Sequence, residues 1–328
     1  MLKQKIHHRK ARKDKQLQIA KGKLQIAKSG VLHFALFNFH FAFCNSSALE
    51  DDMASGSIVT STETVPPWPV VFTLAQRELV RFFRQRNRVF GALGQPIIFW
   101  LLFSAGLGNT TAGGSNRLDY AHFFPGTLVM ILLFTAIFAT ISIIEDRKEG
   151  FLQGVLVAPV PRWSMVLGKI LGGAAIAMLQ GMLFLALGWA TIKEIHPTPF
   201  GLLASLVLML VISIALTALG FILAWRMDST QGFHAVMSVF LLPMWLLSGA
   251  FFPMNVPGWL GWIVTLNPLT YGVAGLRHYL QYPDGVVGDA AAGLPGLGVS
   301  WLVSLLFAAV LFATACRIAA SRSRGDLL

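Results

Sequence analysis

Six stretches of this chain, 89–108, 121–144, 170–192, 199–225, 232–252 and 295–316, contain no Asp, Glu, Lys or Arg. Each is about 20 residues or longer, enough for a helix to cross the hydrocarbon core of a bilayer. The pattern predicts an all-α membrane protein with six transmembrane helices. A seventh stretch, 253–280, is apolar but interrupted by Pro253, Pro257, Gly258, Gly261 and Pro268. It reads as a re-entrant pair of short helices, tolerable at membrane depth only where protein or water covers the freed backbone groups. Before the first run, Arg77, Arg81, Arg84 and Arg88 recur at intervals of four, three and four. They share one face of a helix over 70–88, opposite Phe72, Ala75, Leu79, Phe82 and Phe83. That pattern predicts an amphipathic helix in the membrane interface, with its arginines toward lipid phosphates.

The N-terminal region follows another pattern. Residues 1–30 are basic, and 31–44 (VLHFALFNFHFAFC) are apolar but too short to span. The order of the two partly fits a secretion signal. The better fit is a disordered or non-native extension over 1–69, with Met53 an alternative start and 45–69 a polar linker.

Composition supports lipid as the main solvent. Of 328 residues, 55% are hydrophobic and 12% charged, whereas soluble domains carry about 25% charged residues. The net charge of +11 does not indicate nucleic acid: ten of the 26 basic residues lie in 1–30, and the rest flank apolar runs. Those flanking cations set orientation. Arg77, Arg81, Arg84, Arg86, Arg88, Arg147, Lys148, Arg162, Lys169, Arg226, Arg317, Arg322 and Arg324 fall on one side, against Arg117, Lys193 and Arg277 on the other. The excess belongs inside, so both termini are expected in the cytoplasm, with 317–328 a cytoplasmic tail.

Enzyme chemistry is sparse. No HExxH or GxxxxGK[ST] occurs, and Cys44 and Cys316 are too few and too far apart for a framework. No catalytic residue, cofactor or metal ligand is assigned to the chain. Ser248 with His278 is the one conceivable nucleophile pair, which leaves an intramembrane hydrolase as a remote alternative. The runs hold no carboxylate of the kind that ion-coupled transporters bury, so energy for transport would enter through a partner.

Two segments carry a family resemblance. EDRKEGFLQGVLVAPVPRWSMVLGK (145–169) and SGAFFPMNVPGWLGWIVTLNPLTYGVAGLR (248–277) resemble the first cytoplasmic loop and the C-terminal signature of ABC-2-type transporter permeases. The resemblance covers about 68–320, and its wording is nearest the drug-resistance and nodulation-factor branches. It implies a permease subunit of an ATP-driven exporter in the bacterial inner membrane. Such a permease works as a homodimer or a pair, beside a separate subunit that binds ATP and Mg²⁺. Its cargo would be a drug, a lipid or a lipid-linked or modified saccharide. A non-transport membrane scaffold of the same topology is the main alternative.

Within that frame, residues 145–165 are expected to form an ATPase-coupling loop. Glu145 and Asp146 would cap a short helix at its positive end, with Arg147, Lys148 and Glu149 as a polar rim. Phe151, Leu152, Val155 and Leu156 would enter a groove of the ATP-binding subunit. Pro159 and Pro161 would stop the helix, and Arg162 and Trp163 would anchor the next span at the interface. Gly154 departs from the pattern, since glycine inside a helix costs about 1 kcal/mol relative to alanine. Phe251, Phe252 and Pro253 form an expected outer gate, with Asn267, Pro268, Tyr271 and Arg277 completing the signature. Phe99, Trp100, Phe103 and Trp245 are the expected substrate path. Gly168, Gly172, Gly173 and Gly181 suit close helix approach, within the fold or between copies.

Overall fold

A computed structural model describes residues 66–84, 94, 97–98, 100–102, 120–192, 195, 197–250, 258–281 and 295–321. Among these, all regular structure is helical. In chain order the helices are α1 (Pro67–Arg84), α2 (Tyr120–Ala139), α3 (Ile141–Lys148), α4 (Phe151–Val157), α5 (Arg162–Thr191), α6 (Pro199–Trp225) and α7 (Thr230–Trp245). A π-helical segment, Leu246–Ala250, follows α7, and α8 (Trp259–Leu266), α9 (Pro268–Gln281) and α10 (Leu297–Ala320) complete the order.

Five helical stretches are long and apolar enough to cross a membrane: Phe123–Lys148, Arg162–Thr191, Pro199–Trp225, Thr230–Ala250 and Leu297–Ala320. They correspond to five of the six expected runs. The other, 89–108, lies largely outside the described residues, as do the N-terminal extension, Phe99, Phe103, Phe251, Phe252 and Pro253.

α2 is apolar on every side and occupies the centre, with Phe124, Leu128, Ile131, Leu132 and Ile137 fully buried. A helix without a polar face must be covered all round, and α5, α6 and α9 pack against it. α10 lies at the periphery against α6 and α9. Helix starts follow local chemistry. Thr198 and Ser229 each accept a backbone N–H from the first turn of α6 and α7, at 3.0 and 3.3 Å, and Pro199 opens α6.

α5 departs most from expectation. It begins at Arg162, not at residue 170, and runs for 30 residues, about 45 Å at 1.5 Å per residue. The hydrocarbon core is about 30 Å thick, so at least one end projects beyond it. Lys169, expected in a loop, is inside this helix and only 5% exposed. α1 lies along the same part of α5. Cβ atoms on Gly168 and Gly172 would fall 2.9 Å from Leu74 Cβ and 2.7 Å from Glu78 Cβ, so these two glycines let the helices approach closely.

Candidate functional site

The chemistry gathers at the end of the bundle where α1, α3 and α5 meet. Asp146, in α3, is fully buried. Arg77 holds it in two parallel hydrogen bonds, Nη1 to Oδ2 at 2.9 Å and Nη2 to Oδ1 at 2.7 Å. Arg81 donates to Asp146 Oδ1 and to Glu145 Oε2, each at 2.8 Å, and lies 3.6 Å from Glu149. Lys169 Nζ donates to both Asp146 and Glu78. Glu78, on α1, is 4% exposed. Three cations thus meet four carboxylates in one cluster, Glu78 and Asp146 buried and Glu145 and Glu149 at its more exposed rim. A buried charge is tolerable only when paired and hydrogen-bonded, and Asp146 accepts from four donor groups. Burial opposes the Arg77 charge, but hydrogen bonding and the charge of Asp146, with Glu78 and Glu149 beyond, outweigh it and hold the guanidinium above its ordinary range.

This geometry corrects two expectations. Glu145 and Asp146 do not cap α4: both lie inside α3, and the N-cap of α4 is Gly150, with φ at 76° and no side-chain cap. A carboxylate among three cations gains more than it would at one helix terminus. Nor do Arg77 and Arg81 face lipid phosphates; they turn inward to carboxylates. The side chains of α1 most exposed from the chain's own packing include Trp68, Phe72, Val80 and Phe83.

α4 extends from this cluster. Arg77 stacks over the Phe151 ring, 3.8 Å from its centroid. Leu152 is 3% exposed, and Phe151, Val155 and Leu156 pack on the same core. The expected docking face is therefore turned onto the chain itself, with Leu152 buried and Phe151, Val155 and Leu156 half-buried. The outward side carries Gln153, Gly154 and Val157, the last 83% exposed. A Cβ on Gly154 would meet nothing within 4 Å. Residues 158–160 are non-helical, as the prolines predict. Arg147 reaches sideways, donating to the carbonyl of Trp225 at 2.6 Å and to Asp228 at 3.1 Å. Arg162 donates to the carbonyls of Ala319 and Ala320, at 3.0 and 3.3 Å, closing the C-terminus of α10. Trp163 meets Trp68 edge-on, with centroids 6.0 Å apart.

At the opposite end, most of the polar work falls on neutral groups, with the Arg277 guanidinium beside them. α7 contains Pro243 and breaks in the π segment, where Gly249 takes φ 75°. The carbonyls there are taken by side chains. Asn267 Nδ2 donates to Met244 O at 2.6 Å, Ser248 Oγ to Trp245 O at 2.5 Å and Arg277 Nη2 to Gly249 O at 3.5 Å; Thr270 Oγ1 donates to Val264 O at 2.7 Å and lies 3.4 Å from Leu247 O. Asn267 Oδ1 also accepts from Leu269 N at 3.1 Å, Pro268 opens α9, and Tyr271 donates to Thr265 O at 3.0 Å. The NPLTY…R wording thus serves a broken helix. Ser248 bonds its own helix and His278 Nε2 lies 3.2 Å from Pro295 O, so the Ser–His pair is not assembled.

Trp245 and Trp100 fill the core. Trp245 is 2% exposed and donates to Gly126 O at 2.7 Å; Trp100 packs edge-on against Phe124 and Phe184. An open apolar groove of about 590 Å³ lies on another side of α7. Val239, Phe240, Pro243, Met244 and Leu247 line it with Ile263, Leu266, Asn267 and Pro268.

Sequence reasoning missed Glu78 and Lys169. The available signal was an acid flanking the arginine-bearing face of α1, and a lysine set between Gly168 and Gly172.

Residues 69–280 match the family described as ABC-2 type transporter. Among curated relatives, ycf38 of Cyanophora paradoxa, whose name marks it provisionally as a transport permease, is 26% identical over 72% of this chain and 84% of its own length. YbhR of Escherichia coli strain K12, described as a probable multidrug ABC transporter permease, is 31% identical over 47% of this chain and 42% of its own length. YadH of the same strain, an inner membrane transport permease, is 26% identical over 64% of this chain and 82% of its own length.

Proposed function

Because the chain belongs to the ABC-2 type transporter family, we propose that it is the membrane-spanning permease of an ATP-driven exporter, with ATP and Mg²⁺ bound on a separate subunit. The observation that carries this reading is α4: a short helix packed on the chain's own core beside the buried ion pairs of α3, presenting an uncovered face. On this reading the Asp146 end is cytoplasmic, consistent with the excess of cations there, and both termini share that side of an inner membrane. The run 89–108 supplies a sixth span. α1 is the interfacial helix, its Trp68, Phe72 and Phe83 toward lipid. α8 and α9 form a re-entrant hairpin at the outer end, beside the expected gate at Phe251, Phe252 and Pro253. Two permeases pair, and cargo moves against apolar surface such as the α7–α8 groove.

The coupling contact is assigned to Gln153, Gly154 and Val157, flanked by Lys148 and Glu149. Phe151, Leu152, Val155 and Leu156 hold α4 on the permease. Gly154 then has a role: an open backbone lets the partner approach closely. A large side chain there would obstruct the partner without disturbing the permease core. Purification of the tagged permease from its native host should recover an ATP-binding subunit with wild type, and at least tenfold less with Gly154→Trp, at equal permease yield. If wild type recovers no ATPase, the exporter reading gives way to a scaffold of the same topology. The relative described as a multidrug permease supports a hydrophobic or amphipathic cargo; dye efflux from proteoliposomes containing both subunits tests it.

A further inference from the structure

We infer that Lys169 is a positioning residue that transmits movement of the coupling loop to α5, an inference that rests on the ATP-driven reading above. Lys169 sits two turns into α5, bonded at once to Asp146 at the end of the α2–α3 stem and to Glu78 on α1. It is the described cation of α5 in this cluster; the other two, Arg77 and Arg81, belong to α1. The three elements therefore share one buried carboxylate, Asp146, but α5 reaches it through Lys169 alone among the ion pairs described.

The packing shows why a displacement would pass along this route. α4 is short and turns at Gly150, so a push on it reaches α3 within a few residues. Asp146 is fixed by α1 from one side and by Lys169 from the other. A fully buried side chain held by charge-assisted bonds on both sides has little slack to absorb the displacement. α5 is continuous from Arg162 to Thr191, so movement at Lys169 is carried along the helix to its far end. Arg81, which also touches Glu145 and Glu149, keeps the loop aligned with α1 and does not engage α5.

Lys169→Met combined with Glu78→Gln tests this, because it removes one cation and one anion and leaves Asp146 paired to Arg77 and Arg81. Cys44 and Cys316 are replaced by serine, and an environment-sensitive fluorophore is attached to Gln153→Cys or, separately, to Thr191→Cys. The copurified complex with its ATP-binding subunit is placed in lipid nanodiscs and challenged with ATP–Mg²⁺ against ADP. With Lys169 and Glu78 in place, both labels should respond to ATP. In the double variant the label at 153 should respond within twofold of that signal, and the label at 191 should lose at least fivefold. An unchanged response at 191 overturns the role of Lys169. No ATP response at 153 with the native pair overturns the ATP-driven reading, a distinct failure. If the double variant does not fold, Lys169→Gln alone, which removes the charged link to Asp146, is read the same way: a loss of at least twofold at 191 supports the inference, and no loss overturns it.

Discussion

The two ends of this bundle solve one problem by different means. Each leaves polar groups where water is scarce. At the Asp146 end the groups are full charges on three different helices, and they satisfy one another. At the other end they are backbone carbonyls of a broken helix, taken one by one by Asn267, Ser248 and Arg277. Charges at short range resist separation, because parting them strands an ion in a poor solvent. Neutral caps such as those of Asn267 and Ser248 are worth about 1 kcal/mol each and can be exchanged. One end is therefore built to stay rigid, and the other can rearrange at modest cost.

Substitutions at each end sharpen this contrast. Asp146→Ala should have the largest effect, about 3–5 kcal/mol of lost stability, because three cations then lack their common partner. Thermal unfolding in detergent measures it, and a loss below that of a single cap would break the comparison. Gly172→Leu should follow at about 1–3 kcal/mol, by forcing α1 off α5 at Glu78. Asn267→Ala should cost about 1–3 kcal/mol, since Met244 O and Leu269 N both lose a partner. Trp245→Phe, which removes the bond to Gly126 O, should cost roughly 0.5–1.5 kcal/mol. Gly154→Ala should be smallest and opposite in sign, a gain of up to about 1 kcal/mol, because its Cβ meets nothing.

The contrast also explains what could be read from sequence. The long apolar helices were legible because lipid demands an unbroken run without charge, and five stretches recur among the described residues. The prolines after α4 and the break at Pro268 between α8 and α9 were legible as local chemistry, whereas Gly261, expected to interrupt, lies inside α8. The same rule misplaced the start of α5. A charge-free criterion stops at Lys169, yet the helix continues to Arg162 because Glu78 and Asp146 neutralise that lysine. Those partners lie 91 and 23 residues away, and no local pattern states such a pairing. The apolar face of α4 was identified correctly as a face, but periodicity does not say whether a partner or the chain itself covers it. Phe151, Leu152, Val155 and Leu156 meet their own core, which moves the expected contact to the other side.

That reversal is tested most directly by a cysteine scan of α4 in the complex with the ATP-binding subunit. A short bifunctional thiol–amine reagent is applied to single cysteines at 152, 153, 154, 155 and 157. The account predicts cross-links to the partner from Gln153→Cys, Gly154→Cys and Val157→Cys, with Leu152→Cys and Val155→Cys protected. Cross-links from 152 and 155, with 153, 154 and 157 silent, would contradict it.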